Sequence, residues 1–368
     1  MTIVIFIIVL AVLIFVHEFG HFLAAWAYGI RIDAFAIGFG PKLFSWKFLV
    51  KKGSPTSNTE YSIRAIPFGG YVKIFGENPD EENTHGPDSH RSFVHKPRWQ
   101  QAIVLVAGIV FNLLFACLLY ISVFYIGVAA TPDGFEKYSD HFSNSRIMVT
   151  DVPEKTPAYD AGIKVGDVIG GGFSIDQIQA TIQNSQGNPV TIVDVHKGVS
   201  KNIEITPTLG MTGVPVGKYA IGIAMNNVVD IKLPFWSSII EGFHYTYEMI
   251  KTTIVGLVMF IITVFRGTAD FSSVSGPIGI AGIVGDAAGL GFTFLLMVTA
   301  LISINLGIIN LIPFPALDGG RILFVAIEAI IRRPISPRIT NMVNTVGFAL
   351  IIALMVLVTY KDILKLVK

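Results

Sequence analysis

The sequence predicts an α-helical polytopic membrane protein of about four spans, with one α+β domain inserted among them. Three observations carry that prediction. Hydrophobic residues make up 52% of the 368 positions and charged residues only 14%, a balance typical of membrane proteins. Long apolar runs recur at about Ile3 to Ala27, Ala102 to Val128, Phe292 to Ile312 and Met342 to Tyr360, and about 20 apolar residues suffice for a crossing. Between the second and third runs lies a stretch, about 129–230, of soluble character.

The first run has no charge from Thr2 to Val16, yet it continues into His17-Glu18-Phe19-Gly20-His21. Two imidazoles four residues apart lie one helical turn apart on one face. That spacing lets both chelate one Zn²⁺, and the intervening Glu18 is placed to take a proton from water at the metal. A signal peptide is a poor alternative, because the first basic residue is Arg31 and no positive region precedes the apolar run. An ionisable residue inside a span costs about 2.5 kcal/mol or more and is usually functional. About 14 residues separate Ile3 from His17, roughly 21 Å of helix, which places the motif inside the bilayer.

Residues 31–99 hold ten Lys and Arg, whereas 127–290 hold ten over more than twice the length. Basic residues favour the cytoplasmic side. The bias puts 31–99 and 321–340 inside and 129–240 outside, with the metal nearer the cytoplasmic face. In 31–99, Ser62–Ile66 and Tyr71–Ile74 flank Pro67-Phe68-Gly69-Gly70 and are expected to pair as a hairpin. In the outside region, Ile147–Val152 and Val190–Val195 read as strands, Ala158–Gly162 as a short helix and 184–189 as a turn. Ile250–Phe265, about 16 residues including Lys251, is short for a crossing and is expected to be interfacial or re-entrant. The single cysteine, Cys117, excludes an internal disulfide, and a net charge of +1 points to no nucleic acid partner.

A catalytic zinc needs a third protein ligand and an open position. Asn310-Leu-Ile-Pro-Phe-Pro-Ala-Leu-Asp318-Gly-Gly follows the third long run. Two prolines break the helix, and Asp318 stands just beyond. It is either the third ligand or a cap of the next helix. The ligand reading requires His21 and Asp318 to emerge on one face, which holds if 250–265 does not cross.

Taken together, His17 to His21, Ile66-Pro-Phe-Gly-Gly-Tyr-Val-Lys73, Gly108-x-x-x-Asn112, Ser275-Gly-Pro-Ile-Gly279 and Asn305 to Gly320 resemble the bacterial site-2 proteases of the regulator-of-sigma-E protease type, peptidase family M50. The resemblance implies an intramembrane zinc metalloprotease in which His17, His21 and Asp318 bind zinc and Glu18 is the general base. It implies substrate contacts at Asn310 and Asn305, and at Gly69, Gly70 and Tyr71 of a cytoplasmic β-loop. Gly108 and Asn112 are expected to serve helix packing. The outside domain resembles a PDZ domain through Ala158 to Ile169, with Ala220, Ile221, Gly222 and Ile223 as its peptide loop.

The organisation expected is then 1–128 with two spans and the β-loop (31–99), 129–230 as the PDZ-like domain, 231–290 as a surface or re-entrant helix and linker, and 291–368 as the last two spans. The resemblance further implies regulated cleavage of single-span proteins in the bacterial cytoplasmic membrane. An anti-sigma factor pre-cut by another protease, or remnant signal peptides, are the expected substrates. A zinc transporter and a metal-free membrane scaffold are the competing classes.

Overall fold

In the computed structural model, residues 1–48, 54–57, 59–78, 81–196, 199–211, 214–268 and 274–367 are described. The chain divides into two units, Met1–Ser122 with Ile239–Lys368, and Val123–Ser238.

The first unit is built on helices. Helix α1, Thr2–Ala27, carries Glu18 as its sole formal charge, and 26 residues at 1.5 Å each make about 39 Å, enough to cross a bilayer. After it come strands β1 (Ile32–Trp46) and β2 (Glu60–Ile74) and a short helix α2 (Glu81–His85). Helix α3 (Arg98–Ile126) leads out of the unit, and α6 (Phe235–Phe265) returns to it. The remainder is α7 (Pro277–Leu290), α8 (Phe292–Leu311), α9 (Asp318–Ile331) and α10 (Pro337–Val367). Helices α1, α3, α6, α8 and α10 are each long and apolar enough to span a membrane. Many of their large apolar side chains are exposed, among them Ile3, Ile8, Leu118, Met259 and Leu354, as surfaces facing lipid require.

Two expectations are corrected here. The stretch 250–265 is the second half of a 31-residue helix that begins at Phe235, so there are five candidate spans among the described residues rather than about four. Glu241, Glu248 and Lys251 interrupt its apolar run without breaking the helix, because Glu and Lys are good helix formers. The condition that 250–265 must not cross also omitted α7, which lies between α6 and α8 and packs on α1 through Val284 beside Val9 and Leu13. The second correction concerns the expected hairpin. Residues 60–63 and 70–73 do not flank each other. Both pair with 34–37 of β1, which lies between them.

A second core ties this small sheet to the helices. Ile32, Phe35, Val72 and Ile74 of the sheet pack with Ala25 of α1, Val104 and Leu105 of α3, and Val325 of α9, all buried. Burial of such side chains contributes about 1.5–3 kcal/mol each. This core packs the sheet against the C-terminal half of α1, the start of α3 and the middle of α9.

The second unit is a six-stranded antiparallel sheet, in the order β3 (Val128–Ala130), β10 (Ala224–Ile231), β4 (Phe142–Asp151), β5 (Val168–Ile169), β6 (Val190–His196), β7 (Val199–Ile205). Strands β8 (Thr208–Leu209) and β9 (Tyr219–Ala220) form a separate pair. Helix α4 (Pro157–Asp160) starts at Thr156, whose hydroxyl accepts from the Tyr159 amide. Helix α5 (Ile175–Asn184) has a capping box made by Ser174 and Gln177, and its Ile178 and Ile182 join Val149, Ile192 and Ile203 in the unit's core. The strands, short helix and turn expected within 147–195 are all present.

Candidate metal centre

His17 and His21 are buried on one face of α1, with ring centroids 4.8 Å apart. They can be buried there because α3 comes very close. A Cβ on Gly20 would stand 2.5 Å from the Ala107 carbonyl oxygen, and one on Gly108 would stand 2.4 Å from His21 Nε2. Gly108 therefore does more than let helices approach. It vacates the space that the imidazoles occupy.

The other ring nitrogens are held from behind. His21 Nδ1 lies 2.8 Å from the Val104 carbonyl oxygen. A carbonyl only accepts, so Nδ1 carries the proton and Nε2 presents a lone pair. His17 Nδ1 lies 3.1 Å from Asn112 Nδ2, while Asn112 Oδ1 is buried without a partner. The two ends of an amide have the same shape. Turned over, Oδ1 accepts from His17 Nδ1–H, its need is met, and His17 Nε2 also presents a lone pair. Ser303 on α8 donates to the Asn112 carbonyl at 2.8 Å and fixes that turn of α3.

Asp318 arrives from the far end of the chain. The turn before α9 puts Ala316 at φ 73°, a left-handed conformation that costs a residue with a Cβ about 1–2 kcal/mol. A Cβ on Gly319 would meet the Ile312 carbonyl oxygen at 2.3 Å, and one on Gly320 would meet that of Phe314 at 2.3 Å. Only glycines let α9 start this close to the broken end of α8. Asp318 is the first residue of α9, whose cap is Leu317 without a side-chain bond. Its carboxylate thus lies inside the first turn, where the helix dipole favours it, and it is not the cap.

The three donors converge. His17 Nε2 and His21 Nε2 are 3.2 Å apart, and Asp318 Oδ2 lies 3.0 Å from the first and 3.3 Å from the second. With both protons on Nδ1, no hydrogen stands between these atoms, and Asp318 Oδ2 is buried without a donor. Ligand atoms about 2.0–2.2 Å from a tetrahedral zinc stand about 3.3–3.5 Å apart. The triangle fits that ion to within a few tenths of an ångström, and its donor set of two imidazoles and a carboxylate suits zinc. His17, His21 and Asp318 form the metal-capable cluster found among the described residues.

Glu18 is half-buried beside the triangle, within electrostatic reach of His21, His17 and Asp318. Its Oε2 accepts from the Val72 amide at 2.8 Å. Strand β2 is appressed to α1 here, since a Cβ on Gly70 would stand 3.0 Å from Ile14 Cγ2 and 3.7 Å from Glu18 Cγ. The sheet thus brings Gly70 to the base. Gly69 faces the Phe39 ring, and a Cβ there would meet it at 2.0 Å. Tyr71 stacks on Phe39 and accepts from Arg64 through its hydroxyl at 2.7 Å.

Among the described residues no contact joins Asn305 or Asn310 to the triangle. Asn305 turns its amide onto the Leu301 carbonyl of its own helix, and Asn310 is half-exposed one residue before α8 ends. Within the second unit, Ile221 is buried and its carbonyl accepts from the Ala158 amide, while Gly222 takes φ 80° against Thr156. Ala220 ends β9, and Ile223 packs on the core.

Sequence reasoning missed the Val72 amide, the Val104 carbonyl and the pairing of Asn112 with His17. Only the last left a signal, the four-residue step from Gly108 to Asn112, one turn along a helix face.

Residues 5–354 match the profile of peptidase family M50. The chain is 35% identical over 370 residues to a protein of Clostridium perfringens named as a zinc metalloprotease, covering 99% of both chains. It is 33% identical over 371 residues to one of Clostridium acetobutylicum, covering 98% of this chain and 97% of that one. A Mesorhizobium japonicum protein of the same designation is 31% identical over 384 residues, with 98% of each chain covered. With a zinc-fitting His-His-Asp triangle set on apolar helices, the chain belongs to peptidase family M50 and is a membrane-embedded zinc metalloprotease.

Proposed function

We propose that this metalloprotease hydrolyses peptide bonds in single-span membrane proteins, as in regulated intramembrane proteolysis. The observation that carries the reading is the placement of the three donors and Glu18 on or beside helices long and apolar enough to cross a bilayer. His17, His21 and Asp318 would hold the zinc. When bound, it supplies Lewis acidity to water and to the scissile carbonyl.

The chain's own residues do the rest. Val104 and Asn112 hold the imidazole tautomers. Glu18 Oε2 is engaged by the Val72 amide, so Oε1 is the atom that takes the proton from the attacking water and passes it to the leaving amine. A helical substrate must unwind first, because its carbonyls are hydrogen-bonded. Gly69, Gly70 and Tyr71 are assigned to the edge along which the extended chain lies, and Asn310 and Asn305 to contacts near the scissile bond.

The substrates that fit are a single-span anti-sigma factor already cut by another protease, and remnant signal peptides. The protein is assigned to the bacterial cytoplasmic membrane, with the site toward the cytoplasm and the second unit outside. That unit carries no ligand residue and not the base, so its role is admission. It acts as a PDZ-like filter that excludes substrates with bulky outside portions. Purified protein reconstituted in vesicles with zinc and a panel of single-span substrates tests this. Cleavage within the span by wild type and none by Glu18→Gln is expected. Zinc flux without cleavage would establish a transporter instead.

A further inference from the structure

The small sheet reaches the metal centre twice. Near the end of β2, the Val72 amide donates to Glu18 Oε2 at 2.8 Å, while Val72 is paired with Phe35 in the sheet. Just beyond, the turn after β2 brings Glu77 onto Arg321, and the two form an ion pair. Arg321 stands three residues after Asp318 on α9, one turn along the same face. Both side chains are half-buried, Arg321 at 33% and Glu77 at 18% exposure, and Arg321 is also within electrostatic reach of Glu18. One short stretch, 72–77, is therefore bonded to the base and to the helix that presents the third ligand.

We propose that the sheet is a positioning element of the centre: the Val72 amide sets the carboxylate of Glu18, and the Glu77–Arg321 pair sets α9 and with it Asp318. This rests on the reading of Glu18 as the base. The physical argument is one of orientation. A glutamate on a helix has three rotatable bonds, and a fixed amide on one oxygen leaves the other with a defined direction. Asp318 sits on the first turn of α9, beside a left-handed Ala316, so the direction of that helix decides where its carboxylate points. The amide bonds the base directly and the pair bonds α9, so zinc affinity separates the two, although the charge of Arg321 also reaches Glu18.

That separation gives the test, on the full-length protein in vesicles, with zinc affinity read by chelator competition and kcat and KM read on one single-span substrate. Glu77→Gln and Arg321→Gln should each weaken zinc about 3–10-fold, at or below the loss caused by removing a group bonded directly to a ligand, and lower kcat with KM little changed. The exchange of the two charges, Glu77→Arg with Arg321→Glu, should recover most of the loss, a coupling that a double-mutant cycle reads. Val72→Pro, which removes the amide, should lower kcat about 10-fold relative to Val72→Ala, which truncates the side chain further and keeps the amide. Zinc affinity should be the same in both, which also reports that the centre is folded.

Additive losses without recovery on exchange would overturn the role of the pair. So would a change in KM alone, which would mark the pair as a substrate contact. Equal kcat in Val72→Pro and Val72→Ala, or loss of zinc in Val72→Pro alone, would overturn the role of the amide. Glu18→Gln is measured alongside. An active Glu18→Gln refutes the base itself, whereas an inactive one with equal Val72 variants refutes only the positioning.

Discussion

Replacing Gly108 by alanine adds one methyl group at the most crowded point of the centre. Its Cβ would stand 2.4 Å from His21 Nε2, 2.8 Å from His21 Cε1 and 2.9 Å from His17 Cε1. Ordinary contact begins near 3.4 Å, so the His21 ring must retreat by about 1 Å. It cannot retreat freely, being bonded to the Val104 carbonyl at 2.8 Å. Zinc sites tolerate about 0.2 Å in ligand distance, so a shift of that size removes His21 from the set. We expect zinc affinity to fall at least about 100-fold, or roughly 2.7 kcal/mol. The helix itself should not suffer, since alanine favours a helix over glycine by about 1 kcal/mol. Chelator competition on the purified variant measures the affinity, and circular dichroism checks the helices. Zinc bound at wild-type affinity by a folded Gly108→Ala would refute the geometry of the α1–α3 contact.

Other outcomes follow from the same structure. Asn112→Asp keeps an acceptor for His17 Nδ1–H, whereas Asn112→Leu removes it, so zinc should weaken about 10–100-fold in the leucine variant and markedly less in the aspartate one; the reverse order would refute the turned-over amide. In the second unit, Arg146 and Asn144 hydrogen-bond Asp230 and hold its carboxyl below the usual carboxylate range. A depressed folded value means stability that is full above the unfolded value of about 3.9 and is lost as pH falls through the folded one. Both partners are partly exposed, so Asp230→Asn should lower stability by at most about 1 kcal/mol at pH 7, and the difference should vanish in strong acid. Denaturant titrations across pH measure it. Deleting about Arg146 to Met225 should leave zinc bound and extend cleavage to substrates with bulky outside portions; unchanged selectivity on trimmed and untrimmed substrates would refute the filter.

The parts of the centre that could be read from the sequence are those in which neighbours in the chain are neighbours in space. His17, Glu18 and His21 share one helical turn, and the prolines before Asp318 announce a helix end whatever lies around them. The sheet could not be read that way. Residues 62–66 and 71–74 look like partners because a turn joins them, yet the strand between them comes from Ala34 to Ile37, and side-chain alternation is the same for either pairing. Hydropathy falls at Glu241, Glu248 and Lys251, where helix propensity does not, so the apolar run within α6 looks shorter than the helix. Gly279, Gly282, Gly285 and Gly289 weaken a helix, so the sequence of α7 looks like linker. Gly285 lies against Thr2, where a Cβ would come within 2.3 Å of a methyl carbon, so tertiary packing supplies a reason for at least one of those glycines. The Glu77–Arg321 pair joins residues far apart in the chain, and nothing local marks either one.

The assignment of roles at the centre is tested most directly by metal analysis and cleavage measured together on wild type, Glu18→Gln and Asp318→Ala. Three donors and a separate base predict one zinc per chain in wild type and in Glu18→Gln, with cleavage only in the former, and loss of both zinc and cleavage in Asp318→Ala. Full cleavage by Glu18→Gln, or zinc retained at wild-type affinity by Asp318→Ala, would contradict that assignment.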